Sequence, residues 1–411
     1  MWFSSSGEKV GVVVIGCGEP KRCMGWYHAK QLLADRVPGA ELTDIVEPFL
    51  LGPGKDTEGG KAFAAWAGGF PNVNFHSSVD AMPSPVGKKL VLIAGRTSSN
   101  PQFFKQAIDH GFTNIYLEKP GAGTLEELEA MSAQAKANGV TVCMGYNKNV
   151  AKYAQDVLVY DATNQGGVIG FEHGNSYKPD QLEDCFARGQ EGMLKNMMIH
   201  ELTLVATYFG VTVKTLAALE PDLEFSRWET HGKYSDFARL AFTLTTVDGR
   251  KFVLKGNRCT ENFSWATVAM NGKEAFRARM PDPGLEAKIE ELKQADPGLI
   301  EYFYVQDSEY LDLKQRFCAH ILDEKPGTPE GLATIDVGIE ALKLAEFLQP
   351  SLVSALRSAP KKEVGCCPCF AMMPQKKTPP KIEWQPSAVY RPLKEASSEP
   401  LSPSSEKFFG A

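Results

Sequence analysis

The sequence VGVVVIGCGEPKRCMGWYH, residues 10–28, has the pattern of a buried strand, a glycine turn and the start of a helix. Gly16 and Gly18 follow the apolar run at the spacing of a tight strand-to-helix turn, and Gly25 comes four residues later than the third glycine of such a turn. Backbone N–H groups of such a turn, together with the positive end of the helix dipole, bind the phosphates of a dinucleotide. We therefore predict a phosphate-binding turn formed by Gly16, Gly18 and Gly25.

The residues that lengthen this turn include a basic pair, Lys21 and Arg22. One interpretation is that they fold over the bound phosphates, because ammonium and guanidinium groups match phosphate oxygens. The other is that they are a solvated pair on a surface loop. The sequence favours neither interpretation.

The chain around this turn alternates short apolar runs with amphipathic stretches, which is typical of βαβ units and a parallel sheet. We predict a doubly wound Rossmann domain over residues 8–146. Its six strands are predicted at 10–15, 41–46, 73–75, 90–94, 114–117 and 140–144.

After residue 146 the pattern changes to longer alternating strands with two hairpin signals, Asp248-Gly249 and Asn271-Gly272. We predict an α+β domain over residues 147–357 with a mostly antiparallel sheet. Within it we predict one helix over residues 192–210 and another near residues 304–322. Residues 358–411 contain nine of the 26 prolines. They are predicted to form a flexible tail because they contain too little apolar surface to fold.

Composition narrows the classes of partner and compartment. The chain of 411 residues has an interspersed net charge of −6 and no apolar run long enough to span a membrane. We expect a small-molecule substrate, no nucleic acid, no transmembrane segment and no metal site. The odd count of nine cysteines suits reduced thiols and a cytoplasmic protein.

The cysteine cluster of the tail, Cys366, Cys367 and Cys369, does not provide the four ligands of a zinc site. Beside Lys361 and Lys362 it has two interpretations. Palmitoylation would give weak lipid anchoring together with the basic pair. Alternatively, the cysteines have no role in a tail that tolerates them.

Glu47 ends the second predicted strand, where a carboxylate accepts hydrogen bonds from the adenosine ribose and repels a 2'-phosphate. It therefore favours NAD as the cofactor. Lys21, Arg22 or Arg96 would favour NADP if one of them reached a 2'-phosphate.

Lys119 lies in Glu118-Lys119-Pro120, directly after the fifth predicted strand, where ligands of doubly wound sheets bind. Glu118 is expected on the cofactor side. A lysine here would stabilise the alkoxide that forms during hydride transfer, whereas the alternative is an ordinary loop lysine.

His200 is the second catalytic candidate, because imidazole has a pKa close to neutrality. Within the predicted helix, a polar stripe of Asn196, His200, Thr203 and Thr207 would share one face. The alternative is a hydrogen-bonded histidine in the core.

Together these residues resemble the glucose-fructose oxidoreductase, inositol dehydrogenase and rhizopine catabolism (Gfo/Idh/MocA) family. The resemblance rests on the glycine turn followed by His28, the Glu118-Lys119-Pro120 strand end, the Gly145-Tyr146-Asn147-Lys148 link and the His200 helix. It implies a nicotinamide cofactor, oxidation of a secondary alcohol of a sugar or cyclitol or the reverse reduction, and a homo-oligomer formed through the C-terminal sheet.

The resemblance also assigns roles: Lys119 matches the family's catalytic lysine and His200 its acid/base histidine. Asn196 stands where the family usually has an aspartate, and Met198 replaces a small residue. Two alternatives stay open, namely a non-catalytic dinucleotide sensor or scaffold and an NAD-dependent elimination-type glycosidase. The loops 177–192 and 221–235, which carry Tyr177, Arg188, Arg227 and Trp228, do not identify the substrate.

Overall fold

The computed structural model describes residues 7–188, 191–358 and 381–383. Its N-terminal part alternates strands and helices: β1 (Val10–Ile15), α1 (Met24–Leu33), β2 (Ala40–Val46), α2 (Glu58–Ala67), β3 (Asn74–His76), β4 (Lys89–Ile93), α3 (Asn100–Asp109), β5 (Asn114–Leu117), α4 (Leu125–Ala137) and β6 (Thr141–Met144). These six strands are parallel, in the spatial order β6-β5-β4-β1-β2-β3.

The remaining elements follow in chain order: α5 (Lys152–Thr163), β7 (Val168–Ser176), α6 (Leu182–Arg188), α7 (Met193–Asn196), α8 (Ile199–Phe209), β8 (Leu216–Pro221), β9 (Arg227–His231), β10 (Tyr234–Thr246), β11 (Lys251–Asn257), β12 (Cys259–Met270), β13 (Lys273–Met280), α9 (Pro283–Ala295), α10 (Glu301–Val305), α11 (Asp307–Leu322), β14 (Ala333–Thr334), α12 (Ile335–Ser358) and β15 (Ile382–Glu383). The second sheet has the order β13-β12-β7-β11-β10-β8-β15, with β9 paired to β10. Only its β7–β11 pair is parallel among the pairings described.

The predicted fold class is confirmed by this architecture. The run VGVVVI of β1 is buried at every position, as expected for a central strand of a parallel sheet covered on both faces. Both predicted turns connect antiparallel strands, Asp248-Gly249 between β10 and β11 and Asn271-Gly272 between β12 and β13.

The two parts of the chain are interleaved. Strand β14 pairs antiparallel with β6, so it extends the N-terminal sheet although it lies within the range predicted for the second domain. Helix α11 contacts α1 through Asp307, which accepts hydrogen bonds from Tyr27, Gln31 and Arg36 of the N-terminal part. The site therefore lies on a framework built from both halves.

Three elements differ from the sequence expectations. The predicted helix over 192–210 is two helices, α7 and α8. The helix expected near 304–322 divides into α10 and α11 at Gln306. Helix α9 was not predicted, although Asp282 caps it through the Leu285 N–H and Pro283 occupies its first turn.

Of the predicted tail, the structure describes Ser358, the last residue of α12, and residues 381–383. There Ile382 and Glu383 form β15, which pairs antiparallel with β8. The cysteine cluster at Cys366, Cys367 and Cys369 lies outside the described residues. Among the helices that the structure describes, none has the length and apolar character needed to span a bilayer.

Candidate active site

The predicted phosphate turn connects β1 to α1. Gly16 and Gly18 have positive φ angles of 78° and 72°, which favour glycine. A Cβ atom on Gly25 would lie 2.2 Å from the carbonyl oxygen of Gly16, so only glycine lets the helix approach the turn this closely. No side chain caps the N-terminus of α1 at Cys23. The turn thus leaves the helix terminus uncapped beside three glycines, which suits a phosphate group.

The inserted residues make a compact loop in which the N–H groups of Arg22 and Cys23 both donate to the carbonyl oxygen of Glu19. Lys21 directs its Nζ toward the link between α9 and α10, 3.4 Å from the Pro297 carbonyl oxygen and 3.7 Å from Asp296. Arg22 is exposed and pairs with Glu19 at 3.5 Å. Lys21 is therefore tied to the second half of the chain rather than simply solvated.

Glu47 lies at the carboxyl end of β2 and is 5% exposed. Its Oε2 accepts from the Gly18 N–H at 2.7 Å, and its Oε1 accepts from the N–H groups of Phe49 and Leu50 at 3.2 Å. The carboxylate therefore contacts the phosphate turn directly. Arg96 is exposed at the carboxyl end of β4. Nearby, Asn100 Oδ1 is buried and has no hydrogen-bond partner among the described residues.

Glu118 follows β5, and its carboxylate faces the protein interior. Its Oε1 is 2.9 Å from His28 Nε2 and accepts from the Tyr116 hydroxyl at 3.1 Å. Glu118 thus packs between α1 and β5. From the sequence, we expected it on the cofactor side instead. His28 also contacts Lys314 Nζ at 2.8 Å.

Lys119 is half-buried, and its Nζ donates to the backbone carbonyl oxygen of Asn196 at 3.3 Å. Burial lowers the pKa of Lys119, while Glu118 and Glu191 oppose that shift. The ammonium group is therefore easier to deprotonate than that of a surface lysine, yet it retains two nearby carboxylates that favour its charge.

The break between α7 and α8 explains how Lys119 reaches that oxygen. Met197 N–H and Met198 N–H both donate to the Met193 carbonyl oxygen, and helical pairing resumes from Met198 to Leu202. In a continuous helix, the Asn196 oxygen would accept from the His200 N–H. Because the helix is broken there, the Asn196 oxygen accepts from Lys119 Nζ instead. Prediction of one continuous polar face was therefore wrong, because the Asn196 side chain is exposed whereas His200 is buried.

His200 is the second residue of α8 and is 4% exposed. Its ring stands edge-on to Tyr146, with centroids 6.0 Å apart, and its Nδ1 has no hydrogen-bond partner among the described residues. Burial lowers the pKa of His200 well below its usual value, and the charges of Lys119 and Lys148 lower it further. His200 is therefore neutral at pH 7.

A buried ion pair that sequence reasoning missed lies beneath these residues. Lys148 Nζ is 2.7 Å from Glu201 Oε1, and both side chains are at most 2% exposed. The other Glu201 oxygen is 3.6 Å from His173 Nδ1. Burial, followed by the charge of Lys148, lowers the pKa of His173. The sequence contains two signals that could have indicated this cluster. His173 lies on the inward face of an alternating strand, and the carboxylate of Glu201 follows His200 on an apolar helix.

A cavity of about 380 Å³ opens beside this cluster. Most of its lining is polar and uncharged, and it comprises His173, Gly174, Asn175, Ser176, Tyr177, Gln181, Asn262, Phe263, Ser264, Met280, Glu301, Tyr302, Val305 and Gln306. Tyr177, expected in a pocket loop, lies here. Arg227 instead donates to backbone oxygens of its own loop and Trp228 packs on Phe237. The Arg188 side chain lies outside the described part.

Among the residues described, no group of three or more histidine, cysteine, aspartate or glutamate side chains is placed to hold a metal ion. The six described cysteines are free thiols.

Comparison with known proteins agrees with this geometry. Residues 10–146 match the model of an oxidoreductase family with an NAD-binding Rossmann fold, the Gfo/Idh/MocA family. The NAD-dependent scyllo-inositol 2-dehydrogenase of Bacillus subtilis is 26% identical over 214 residues, which cover 51% of this chain and 57% of that protein. The chain thus matches little more than half the length of this relative.

Solved structures share the fold over most of the chain. A myo-inositol dehydrogenase from Corynebacterium glutamicum superposes with a TM-score of 0.63 at 18% identity, covering 84% of this chain and 97% of the other. GenD2 from gentamicin A biosynthesis, in complex with NAD, gives a TM-score of 0.62 at 18% identity, covering 86% and 97%.

Proposed function

The chain belongs, through residues 10–146, to the Gfo/Idh/MocA family of oxidoreductases, and from this premise we propose that it is an NAD(P)-dependent dehydrogenase or reductase acting on CH–OH groups. Its substrate is a small polyhydroxylated molecule such as a sugar, a cyclitol or a derivative. The inositol dehydrogenases among its relatives and structural neighbours support this class of substrate.

The observation that carries the proposal is the placement of Lys119 against the backbone of Asn196, at the helix break that precedes His200. Two groups suited to opposite tasks meet there. His200, neutral at pH 7, accepts the hydroxyl proton of an alcohol substrate. The Lys119 ammonium stabilises the negative charge that develops on the same oxygen. Asn196 contributes through its carbonyl oxygen, which orients Lys119.

The residues around the glycine turn fit a dinucleotide. Gly25 lets the helix approach the turn closely, and the uncapped N-terminus of α1 leaves backbone N–H donors for a ligand. Asn100 Oδ1, which has no partner among the described residues, is an unused acceptor. When bound, the nicotinamide supplies a hydride acceptor or donor. Glu47, held at the phosphate turn, favours NAD because its carboxylate would repel a 2'-phosphate.

The cavity supports an uncharged substrate. None of its described lining residues is a lysine or arginine, and its one carboxylate, Glu301, pairs with Lys293 at 3.1 Å. Carboxylates and phosphates would find no cationic partner in this lining. His173 connects the cavity to the Glu201 and Lys148 pair, and its ring centroid lies 6.4 Å from that of His200. We therefore place a non-reacting hydroxyl of the substrate against His173 and the reacting hydroxyl at His200.

Two broader features remain part of the proposal. We propose that the protein assembles as a homo-oligomer through the outer face of its C-terminal sheet, where Thr243, Val253 and Thr267 are partly exposed. We also propose a cytoplasmic location, in accord with its free described thiols. Size-exclusion chromatography with light scattering tests the first.

The test replaces Lys119 by Met and His200 by Asn, one at a time. Each change should lower kcat for polyol oxidation at least about 100-fold, the usual scale of acid–base catalysis, and leave the NADH dissociation constant within about threefold. Lys105→Met, which removes an exposed helix cation, is the matched control. Unchanged kcat in both active-site variants would refute the mechanism.

The same assays separate the alternatives. Dinucleotide binding without turnover of any sugar or cyclitol would indicate a sensor, and product formation without net NADH would indicate elimination. The wild-type rate of oxidation should fall as the pH drops through the pKa of His200, which burial holds well below the usual value of histidine. Fluorescence titration should show tighter binding of NADH than of NADPH; the reverse order would assign Lys21, Arg22 or Arg96 to the 2'-phosphate.

A further inference from the structure

A buried lysine that does not line the cavity is connected to the strand end that carries Lys119. Lys314 of α11 is completely buried. Its Nζ lies 2.8 Å from His28 Nδ1, 2.7 Å from Gln31 Oε1 and 2.7 Å from the Tyr310 carbonyl oxygen. An ammonium group has three N–H donors and no acceptor, so these three contacts match its protonated form.

His28 continues the chain of contacts to the active site. With Lys314 donating to Nδ1, the ring proton resides on Nε2 and is donated to Glu118 Oε1 at 2.9 Å. Glu118 directly precedes Lys119 and favours its charged form. The contacts therefore run from Lys314 through His28 and Glu118 to the neighbour of Lys119.

Loss of a proton from Lys314 changes these contacts. While Lys314 is an ammonium, its three N–H donors match three acceptors, and His28 keeps its proton on Nε2, directed toward Glu118. When Lys314 releases a proton to solvent, two N–H donors remain for the three acceptors, so the contact with His28 Nδ1 is altered and one buried positive charge is lost.

We propose that Lys314, His28 and Glu118 form an electrostatic relay, in which Lys314 is a positioning residue: its charge, acting through His28, holds the Glu118 carboxylate in place beside Lys119. Only the expected effect of the relay on turnover rests on the proposed function. The relay itself is a property of the buried contacts.

The electrostatic surroundings place the titration of the relay in the working range. Burial lowers the pKa of Lys314 to about 7, against the raising effects of Glu118, Asp307 and Cys318, and Arg36 lowers it as well. Burial and Lys314 together lower the pKa of His28 to about 4, while Glu118 opposes them. His28 thus stays neutral while Lys314 gains and loses its proton.

The test is an NMR titration of the histidine ring carbons in the full-length protein, with His28 assigned from the His28→Gln variant. The wild-type His28 resonance should shift with a midpoint near pH 7, because its Nδ1 contact changes when Lys314 titrates. In Lys314→Met this step should vanish. Lys343→Met, which removes a partly exposed cation that pairs with Glu129, should retain it.

A second readout follows turnover of scyllo-inositol with NAD⁺ over pH 5–10. The wild-type profile of kcat/KM should contain an ionisation near pH 7 that Lys314→Met lacks and Lys343→Met keeps. A merely structural role for Lys314 would lower the yield or stability without removing one ionisation. If Lys314→Met does not fold, Lys314→Gln replaces it.

Persistence of the His28 step near pH 7 in the lysine variant, or its absence in the wild type, would overturn the relay. Absence of wild-type turnover with every sugar and cyclitol would instead overturn the proposed function, while the NMR result would still decide the relay.

Discussion

The buried pair of Lys148 and Glu201 offers a sharp test of how the active-site floor is held. Replacing Lys148 by Met removes the charge and keeps most of the side-chain volume. It leaves Glu201 with no cation at hydrogen-bond distance, although His173 stays 3.6 Å away. Because both partners are almost fully buried, solvent screens the pair little.

The expected magnitude follows from the contact distance of 2.7 Å. For charge centres roughly 3.5 Å apart at an effective dielectric constant of about 20, the attraction is about 5 kcal/mol. Desolvation of both groups offsets most of this gain, so the intact pair contributes little net stability. A single unpaired charge keeps the desolvation cost without the attraction. We therefore expect Lys148→Met and Glu201→Gln each to lower the free energy of unfolding by about 3–5 kcal/mol.

The double variant, Lys148→Met with Glu201→Gln, tests whether the two groups act as a pair. Because it has no unpaired charge, its loss should be smaller than the sum of the two single losses by at least about 3 kcal/mol. Urea unfolding followed by tryptophan fluorescence gives the three values, and Lys152→Met, from an exposed pair with Asp156, should cost under about 0.5 kcal/mol. Losses that add to within about 0.5 kcal/mol would show that the two groups do not act as a pair.

Gly25→Ala should weaken NADH binding at least about tenfold, because its Cβ would collide with the Gly16 oxygen. Gly68→Ala is the control: its Cβ would have its nearest contact at 3.5 Å, so this variant should bind NADH normally. Fluorescence titration with NADH measures both dissociation constants. Asp307→Asn should lower the free energy of unfolding at pH 7 by roughly 2–4 kcal/mol, since it loses the paired Arg36 contacts. Arg36, Tyr27 and Gln31 outweigh burial and hold the pKa of Asp307 below its usual value, so this contribution is present above about pH 4 and is lost as the pH falls through the folded pKa. Urea unfolding at pH 7 and pH 3.5 should show the difference shrinking, and a constant difference would contradict the assignment.

The N-terminal sheet could be predicted from the sequence because its signals are local. Apolar runs of the right length and the glycines after β1 fix each strand within the N-terminal part without reference to distant residues. The same locality explains the two hairpins. Helix α9 had equally local signals in Asp282 and Pro283, and it could have been predicted on the same grounds.

The break before His200 could not be predicted in this way. Helical periodicity continues through Asn196 and Met198, and no glycine or proline interrupts it. The break is accompanied by contacts from distant parts of the chain: Asp236 accepts from the Met193 N–H and Lys119 donates to the Asn196 oxygen. The partnership of Lys148 with Glu201 likewise joins residues 53 positions apart, a distance that periodicity cannot bridge.

Strand β15 has a consequence for any shortened form of the protein. Strand β8 would be the end of its sheet if Ile382 and Glu383 did not pair with Leu219 and Ala218. A chain ending at Ser358 would expose those backbone groups as a template on which other chains can add strands. Self-association of such a shortened chain could therefore arise from the exposed edge of β8. For this reason, oligomer size is to be measured on the full-length protein.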